Sequence, residues 1–235
     1  MWKFLIFVYS ERFPLLFYQN ICVVVNPCFS FLTPYKPVPA GQDTFAAGAS
    51  KFIIRTAQAR DLSSMAEILT DSFHSRTGLM GWAYPLLRLG IYEDLRNRLR
   101  STLPHYVCLV AVTTVSTVAG SREELAGTVE LALRSSSSWP TYNSGYPYIS
   151  NLAVKKSCRR QGVAQQLLLA CERTSMEWGF QDLYLHVLDN NHQARQLYLK
   201  SGYQLHQVES SYSAWLLGRP KRLLLHKHLT PAVTT

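Results

Sequence analysis

Apolar residues recur along this chain with two periods, about 3.6 and 2, and the switches between them delimit its elements. From Lys51 onward the pattern is that of a folded unit. Phe52-Ile53-Ile54-Arg55 reads as a first strand. Asp61 then stands as the cap of a helix carrying Leu62, Met65, Ile68, Leu69 and Phe73 at helical spacing. Ser75 to Tyr84, with two glycines and aromatic residues, reads as a loop between helices. A second amphipathic helix follows, with Leu86, Leu87, Leu89, Ile91, Leu95 and Leu99. Tyr106 to Val112 and Leu125 to Leu133 read as strands, joined by a surface turn from Thr113 to Glu124. Ser135 to Tyr146, with four serines in a row, Pro140 and Gly145, reads as a flexible loop. A strand from Tyr148 to Val154 leads through a basic loop into a helix, on which Val163, Leu167, Leu168, Cys171 and Trp178 share one face. Asp182 to Val187 is the next strand, His192 to Ser201 a shorter helix. Pro220 then stops one element before the leucines at 223–225 fill a last strand.

Residues 1–48 do not share this patterning. They hold few charges and five prolines, Pro14, Pro27, Pro34, Pro37 and Pro39. Their longest apolar runs, Phe4 to Tyr9 and Ile21 to Val25, fall short of the roughly 20 residues a membrane span needs. No membrane span is expected. The run after Lys3 is short for a secretory signal, and no clear cleavage site follows. The scarcity of acidic residues points instead to an organelle transit peptide, or else a disordered extension, ahead of one domain over 49–235.

Composition sharpens this. With 47% apolar and 12% aromatic residues, the chain can build a sizeable core. Part of its +9 charge lies at Lys155, Lys156, Arg159 and Arg160, and part at Arg219, Lys221, Arg222 and Lys227. No nucleic-acid motif accompanies these clusters, so no nucleic-acid partner is expected. The five cysteines form no C-x-x-C pair and no metal-ligand spacing, so no metal is expected and a reducing compartment is. Cys108 and Cys171 read as core residues; Cys158 lies among the four loop cations.

The loop after Val154 carries the chemistry. A strand feeding a glycine-bearing loop that opens a helix presents backbone N–H groups and a positive dipole end to an anion. Gly162 removes a Cβ from that approach, and Arg159 and Arg160 add charge-assisted donors. Neither G-x-x-x-x-G-K-S/T nor G-x-G-x-x-G occurs. The loop reads as a phosphate holder of another kind.

Arg159-x-x-Gly162-x-Ala164 resembles the coenzyme A pyrophosphate signature of the GNAT acetyltransferases. About thirty residues on, Asn191-x-x-Ala194-x-x-Leu197-Tyr198 with Ser201-Gly202-Tyr203 resembles that family's second signature. The resemblance covers residues 51 to about 229. It implies a mixed α/β (α+β) GNAT fold: a central, mostly antiparallel twisted sheet with two splayed parallel strands, Tyr148–Val154 and Asp182–Val187, flanked by about four helices. It implies acetyl-CoA as co-substrate. Arg159, Arg160, Gln161, Gly162, Val163 and Ala164 would hold the pyrophosphate, Leu152, Ala153 and Val154 the pantetheine arm, and Asn191 would touch the cofactor. An N–H near Asn151 or Leu152 would polarise the acetyl carbonyl. The run from Trp215 to Leu225, with Arg159-Arg160 and Leu185-His186-Val187, is similar to the plant plastid group acting on protein lysines and N-termini. Protein or peptide amines are then the expected partners and a plastid the expected destination, with cytoplasm or nucleus the alternative; a monomer is the expected state.

By the same resemblance Tyr198 serves the departing thiolate. A phenol near pKa 10 protonates a thiolate whose acid is near 8.5 only uphill, at about those values, so a hydrogen bond to developing charge matters more than full transfer. Tyr148 and His186 match the tyrosine and histidine that some N-terminal acetyltransferases use to deprotonate the amine through water. From residues alone, a structural histidine and a tyrosine packing its helix remain open, as does a helix cap for Asn191. Glu130, in Val129-Glu130-Leu131, is a rival base or else a solvated strand residue. His192, His206, His226 and His228 read as surface residues. A GNAT enzyme for a small amine and a non-catalytic acyl-CoA-binding domain stand as alternatives.

Overall fold

The computed structural model describes residues 51–73, 81–101, 103–117, 120–134, 145–209 and 220–230. In chain order the regular elements are β1 (Ile53–Thr56), α1 (Leu62–Phe73), α2 (Tyr84–Arg100), β2 (Tyr106–Thr117), β3 (Gly120–Arg134), β4 (Tyr146–Val154), α3 (Val163–Glu177), β5 (Asp182–Leu188), α4 (His192–Lys200), β6 (Gln204–Glu209) and β7 (Arg222–His228). The strands form one seven-stranded sheet in the order β1-β2-β3-β4-β5-β7-β6. Every neighbouring pair is antiparallel except β4 with β5. That parallel pair is bonded over only two positions, Tyr148 with Tyr184 and Ile149 with Leu185, after which the strands part.

Strand alternation sends successive side chains to opposite faces, and each face has its own helical cover. Val163, Leu167, Leu168 and Cys171 of α3 and Tyr198 of α4 pack with Val129, Leu131, Ile149, Leu185 and Val187. On the other face, Leu62, Met65 and Leu69 of α1 and Ile91 and Leu95 of α2 cover Cys108, Val110 and Val112. Burial of this order, at about 1.5–3 kcal/mol per large apolar side chain, holds α3 rigidly over the end of β4.

Three expectations need correction. The turn placed at Thr113 to Glu124 is strand: β2 and β3 run on to Thr117 and Gly120, paired throughout. Thr114, Val115 and the run from Gly120 to Glu124 are exposed, with charges at Arg122, Glu123 and Glu124, so a hairpin arm beyond the helical cover has the composition of a turn. In α2 only Ile91 and Leu95 are buried, while Leu86 and Leu89 are 69% and 57% exposed; the leucines fall on two faces, and one face meets α1. Asp61 closes a 3-10 turn, Ala59–Asp61, ahead of α1. Its carboxylate accepts the Gln58 N–H at 2.8 Å and pairs with Arg55 at 2.7 Å, so the cap acts one turn earlier than expected. The extension 1–48, residues 75–80 of the loop expected at 75–84, residues 135–144 of the loop expected at 135–146, and residues 215–219 lie outside the described residues.

Candidate active site

Behind β4 the chain makes a 3-10 turn, Lys156–Cys158, and then swings through two left-handed residues, Arg160 (φ +63°) and Gly162 (φ +82°), into α3. Apart from its own chain neighbours, no heavy atom lies within 4 Å of where a Gly162 Cβ would stand. The glycine is therefore required by its dihedral and leaves an open hollow at the N-terminus of a 15-residue helix. The first N–H groups of such a helix have no intrahelical acceptor. Arg159, Arg160, Gln161 and Gly162 are all exposed around the hollow. Arg159 is braced by its Nε, which donates to the Val154 carbonyl at 3.2 Å; Gln161 is braced by donating to the Ser157 carbonyl at 2.9 Å. Lys155 is ion-paired with Glu124. Val163 is buried in the core and offers only its backbone, with Ala164 half-buried beside it. These residues fit a pyrophosphate. A cavity of about 620 Å³ adjoins them, lined by Lys155 and Arg159 on one side and Glu67 and Asp71 of α1 on the other.

Beyond Ile149, no strand among the described residues pairs with β4 on its β5 side. That leaves Leu152, Ala153 and Val154 along the wall of a cleft between the parting strands. On its β3 side β4 bulges: Thr128 opposes Ala153 and Glu130 opposes Ser150, so Val129 faces both Asn151 and Leu152. Asn151 takes φ +52° there. A bulge leaves its extra residue out of the ladder and re-aims the local backbone.

The structure brings Tyr148 and His186 together. The Tyr148 hydroxyl lies 2.8 Å from His186 Nδ1, and His186 Nε2 lies 2.9 Å from the Glu209 carboxylate. A carboxylate only accepts, so these partners assign the hydrogens: Nε2–H donates to Glu209, and Nδ1 accepts from the Tyr148 O–H. The Arg134 guanidinium lies over the Tyr148 ring, 3.5 Å from its centroid. Burial is the largest influence on His186 and pushes its pKa down; Arg222 and Arg134 push the same way, and Glu209 opposes them. These influences favour the neutral imidazole, the form able to take a proton.

Tyr198 lies elsewhere. It is 8% exposed and packs in the α3-side core with Leu185 and Val187, whereas His186 alternates with those residues and points to the other face. The sheet runs between Tyr198 and the Tyr148–His186 pair. Asn191 caps α4, its Oδ1 accepting the Ala194 N–H at 3.2 Å, and its exposed position leaves the rest of the amide group open to a ligand. Glu130 is not a solvated strand residue: it is 1% exposed and accepts from Arg98 (2.9 Å), Tyr106 (3.3 Å) and Asn151 (2.8 Å). His226, expected at the surface, is half-buried; it bonds Asp182 at 2.8 Å and stacks on Tyr184. Sequence reasoning missed Glu209 and Arg134. Neither sits in a motif, and Glu209 is 23 residues from the histidine it contacts.

The profile described as "Acetyltransferase (GNAT) family" matches residues 63–203. The chain is 29% identical over 175 residues to Arabidopsis thaliana "GCN5-related N-acetyltransferase 10, chloroplastic", spanning 72% of this chain and 68% of that one. It is 31% identical over 192 residues to "GCN5-related N-acetyltransferase 5, chloroplastic" of the same plant, spanning 77% and 60%. In fold it is similar to the PaiA N-acetyltransferase of Thermoplasma acidophilum, solved in complex with coenzyme A: TM-score 0.54, 18% identity, 75% of this chain and 98% of that chain.

Proposed function

The chain belongs to the GNAT acetyltransferase family, and from that premise we propose that it is a plastid enzyme transferring acetyl from acetyl-CoA to protein amines, the N-terminal α-amine, the lysine ε-amine or both. The hollow at Gly162, with Arg159 and Arg160, binds the pyrophosphate. The free edge of β4 from Leu152 to Val154 aligns the pantetheine arm, and a bulge N–H at Asn151 or Leu152 donates to the acetyl carbonyl oxygen as negative charge develops there. On the other face the Tyr148 oxygen, whose proton is turned toward His186, receives a proton from the incoming amine through water. Its own proton passes to His186 Nδ1, and Glu209 balances the imidazolium that results. Tyr198 offers its hydroxyl to the departing sulfur.

One observation carries this reading: the Tyr148–His186–Glu209 chain, bonded at 2.8 and 2.9 Å, stands where β4 and β5 part. A peptide rather than a small amine is supported by the strand surface beside it, where the exposed His206 meets the Tyr184 ring edge to face and His226 stacks on the same ring. The test is to incubate the protein with acetyl-CoA and a denatured proteome and map new acetyl groups by mass spectrometry. Acetylated α- or ε-amines are expected; turnover of small amines alone would overturn the choice of substrate. The plastid reading is supported by the chloroplastic relatives, and a fluorescent fusion to residues 1–60 should enter plastids. Retention at the endoplasmic reticulum would refute it.

A further inference from the structure

The Asn151 backbone conformation calls for a cause. An L-residue in the left-handed region costs about 1–2 kcal/mol, with asparagine among the more tolerant. Asn151 sits there in mid-strand, at φ +52°. Its side chain does not point to water. Nδ2 donates at 2.8 Å to Oε1 of Glu130, a carboxylate 1% exposed on β3. The other oxygen of Glu130 is held by Arg98 at 2.9 Å and by the Tyr106 hydroxyl at 3.3 Å. Arg98 belongs to α2 and pairs also with Asp94 one turn back, at 2.9 Å. A buried carboxylate with a guanidinium and two neutral donors is a rigid anchor, because freeing any partner leaves charge unpaired out of water. So α2, β2, β3 and the β4 bulge are joined by a single side chain.

We propose that Glu130 is a positioning residue for acetyl transfer: through Asn151 it holds the β4 bulge in the one backbone conformation that aims a bulge N–H into the cleft. This rests on the bulge serving the acetyl carbonyl, as argued above. Glu130 is then no base for the amine. Both of its oxygens already accept from buried or half-buried donors, three in all, and its effect reaches the reaction through the backbone. Arg98 extends the same control to α2, so the helix covering that face of the sheet reports its seating to the carbonyl-binding amide.

The probe is acetyl-CoA carrying ¹³C at the thioester carbonyl, whose infrared stretch falls when its oxygen accepts a hydrogen bond. In the wild-type protein the bound stretch lies below that of free acetyl-CoA. Asn151→Ala removes the anchor and disfavours positive φ; it returns the stretch toward the free value and leaves acetyl-CoA affinity nearly unchanged. In that variant kcat falls about 10- to 100-fold, less than outright deletion of an oxyanion donor. Asn151→Gly reaches positive φ without steric cost and keeps more of both signals than Asn151→Ala. Glu130→Gln lowers kcat in the wild-type background but adds little to Asn151→Gly, since both act through the same backbone. If Glu130→Gln does not fold, the contrast between the two Asn151 variants decides. A stretch still shifted in Asn151→Ala, or equal costs of Glu130→Gln in both backgrounds, overturns the assignment. Wild-type protein that binds acetyl-CoA without any shift overturns it too, while leaving the proposed function standing; failure to bind acetyl-CoA overturns both.

Discussion

At the residue scale, the polarity of the Tyr148–His186 pair is set by Glu209. Without a carboxylate at Nε2, either ring nitrogen could carry the hydrogen, and Nδ1 would not be reserved for the tyrosine. Burial and Arg222 lower the His186 pKa, and Glu209 works against them. Glu209→Gln removes the opposing charge, so the pKa falls further and the acid limb of kcat/KM moves to lower pH. The same change strips the imidazolium of its counter-charge, so kcat near neutrality also drops. Glu209 is 40% exposed, and solvent screening keeps that drop below the about 100-fold typical of losing an acid–base group outright. pH–rate profiles of the two proteins check this: a limb that stays put or moves up would leave Glu209 a surface acid. Tyr148 and His186 were legible because they match positions known in a family. Glu209 was not, because β7 lies between its strand and β5, and strand order cannot be read from local residues.

At the scale of elements, legibility followed burial. Helices α3 and α4 announce themselves because one face of each is covered and the other is wet. The β2–β3 arm was illegible for the converse reason, since beyond the helices neither face is buried and alternation disappears. Gly127 marks where β3 and α3 press together. A Cβ there would stand 2.9 Å from the Ala153 carbonyl oxygen, 3.1 Å from Val163 Cγ1 and 3.2 Å from Leu167 Cδ1. None of these can retreat cheaply, being strand backbone and the first buried turns of α3. Gly127→Ala should therefore destabilise by about 1–3 kcal/mol, a Tm loss of roughly 2–4 °C per kcal/mol at this size. It should weaken acetyl-CoA binding as well, because Val163 opens the helix whose end forms the anion hollow. Gly162→Ala behaves differently. Nothing surrounds its Cβ position, so the cost to the fold is only that of positive φ, about 1–2 kcal/mol, while the loss in affinity should be the larger effect. Calorimetry and thermal melts separate the two; equal behaviour of both variants would mean that the hollow is not where the cofactor sits.

At the scale of the whole molecule, the sheet lies between the two groups proposed to handle protons. Tyr198 lies in the α3-side core, and Tyr148 with His186 lies on the opposite face. In the proposed reaction, the gap between β4 and β5 is the passage by which a thioester held from one side meets an amine arriving from the other. The two ends should then fail independently. Tyr198→Phe keeps the ring, which packs at 6.0 Å from that of Tyr203, and removes only the hydroxyl. It should lower kcat about 10- to 1000-fold, with acetyl-CoA affinity and the acid limb of the profile unchanged. His186→Ala should lower kcat/KM most near neutral pH and recover as pH rises, because the amine then arrives already deprotonated. Recovery should begin at lower pH for an α-amine than for lysine, their pKa values differing by about 2 units. The double variant should show the product of the two losses, as expected for groups without a shared partner. A His186→Ala protein with the wild-type profile on both amines would remove the base from this face of the sheet and leave proton removal to solvent.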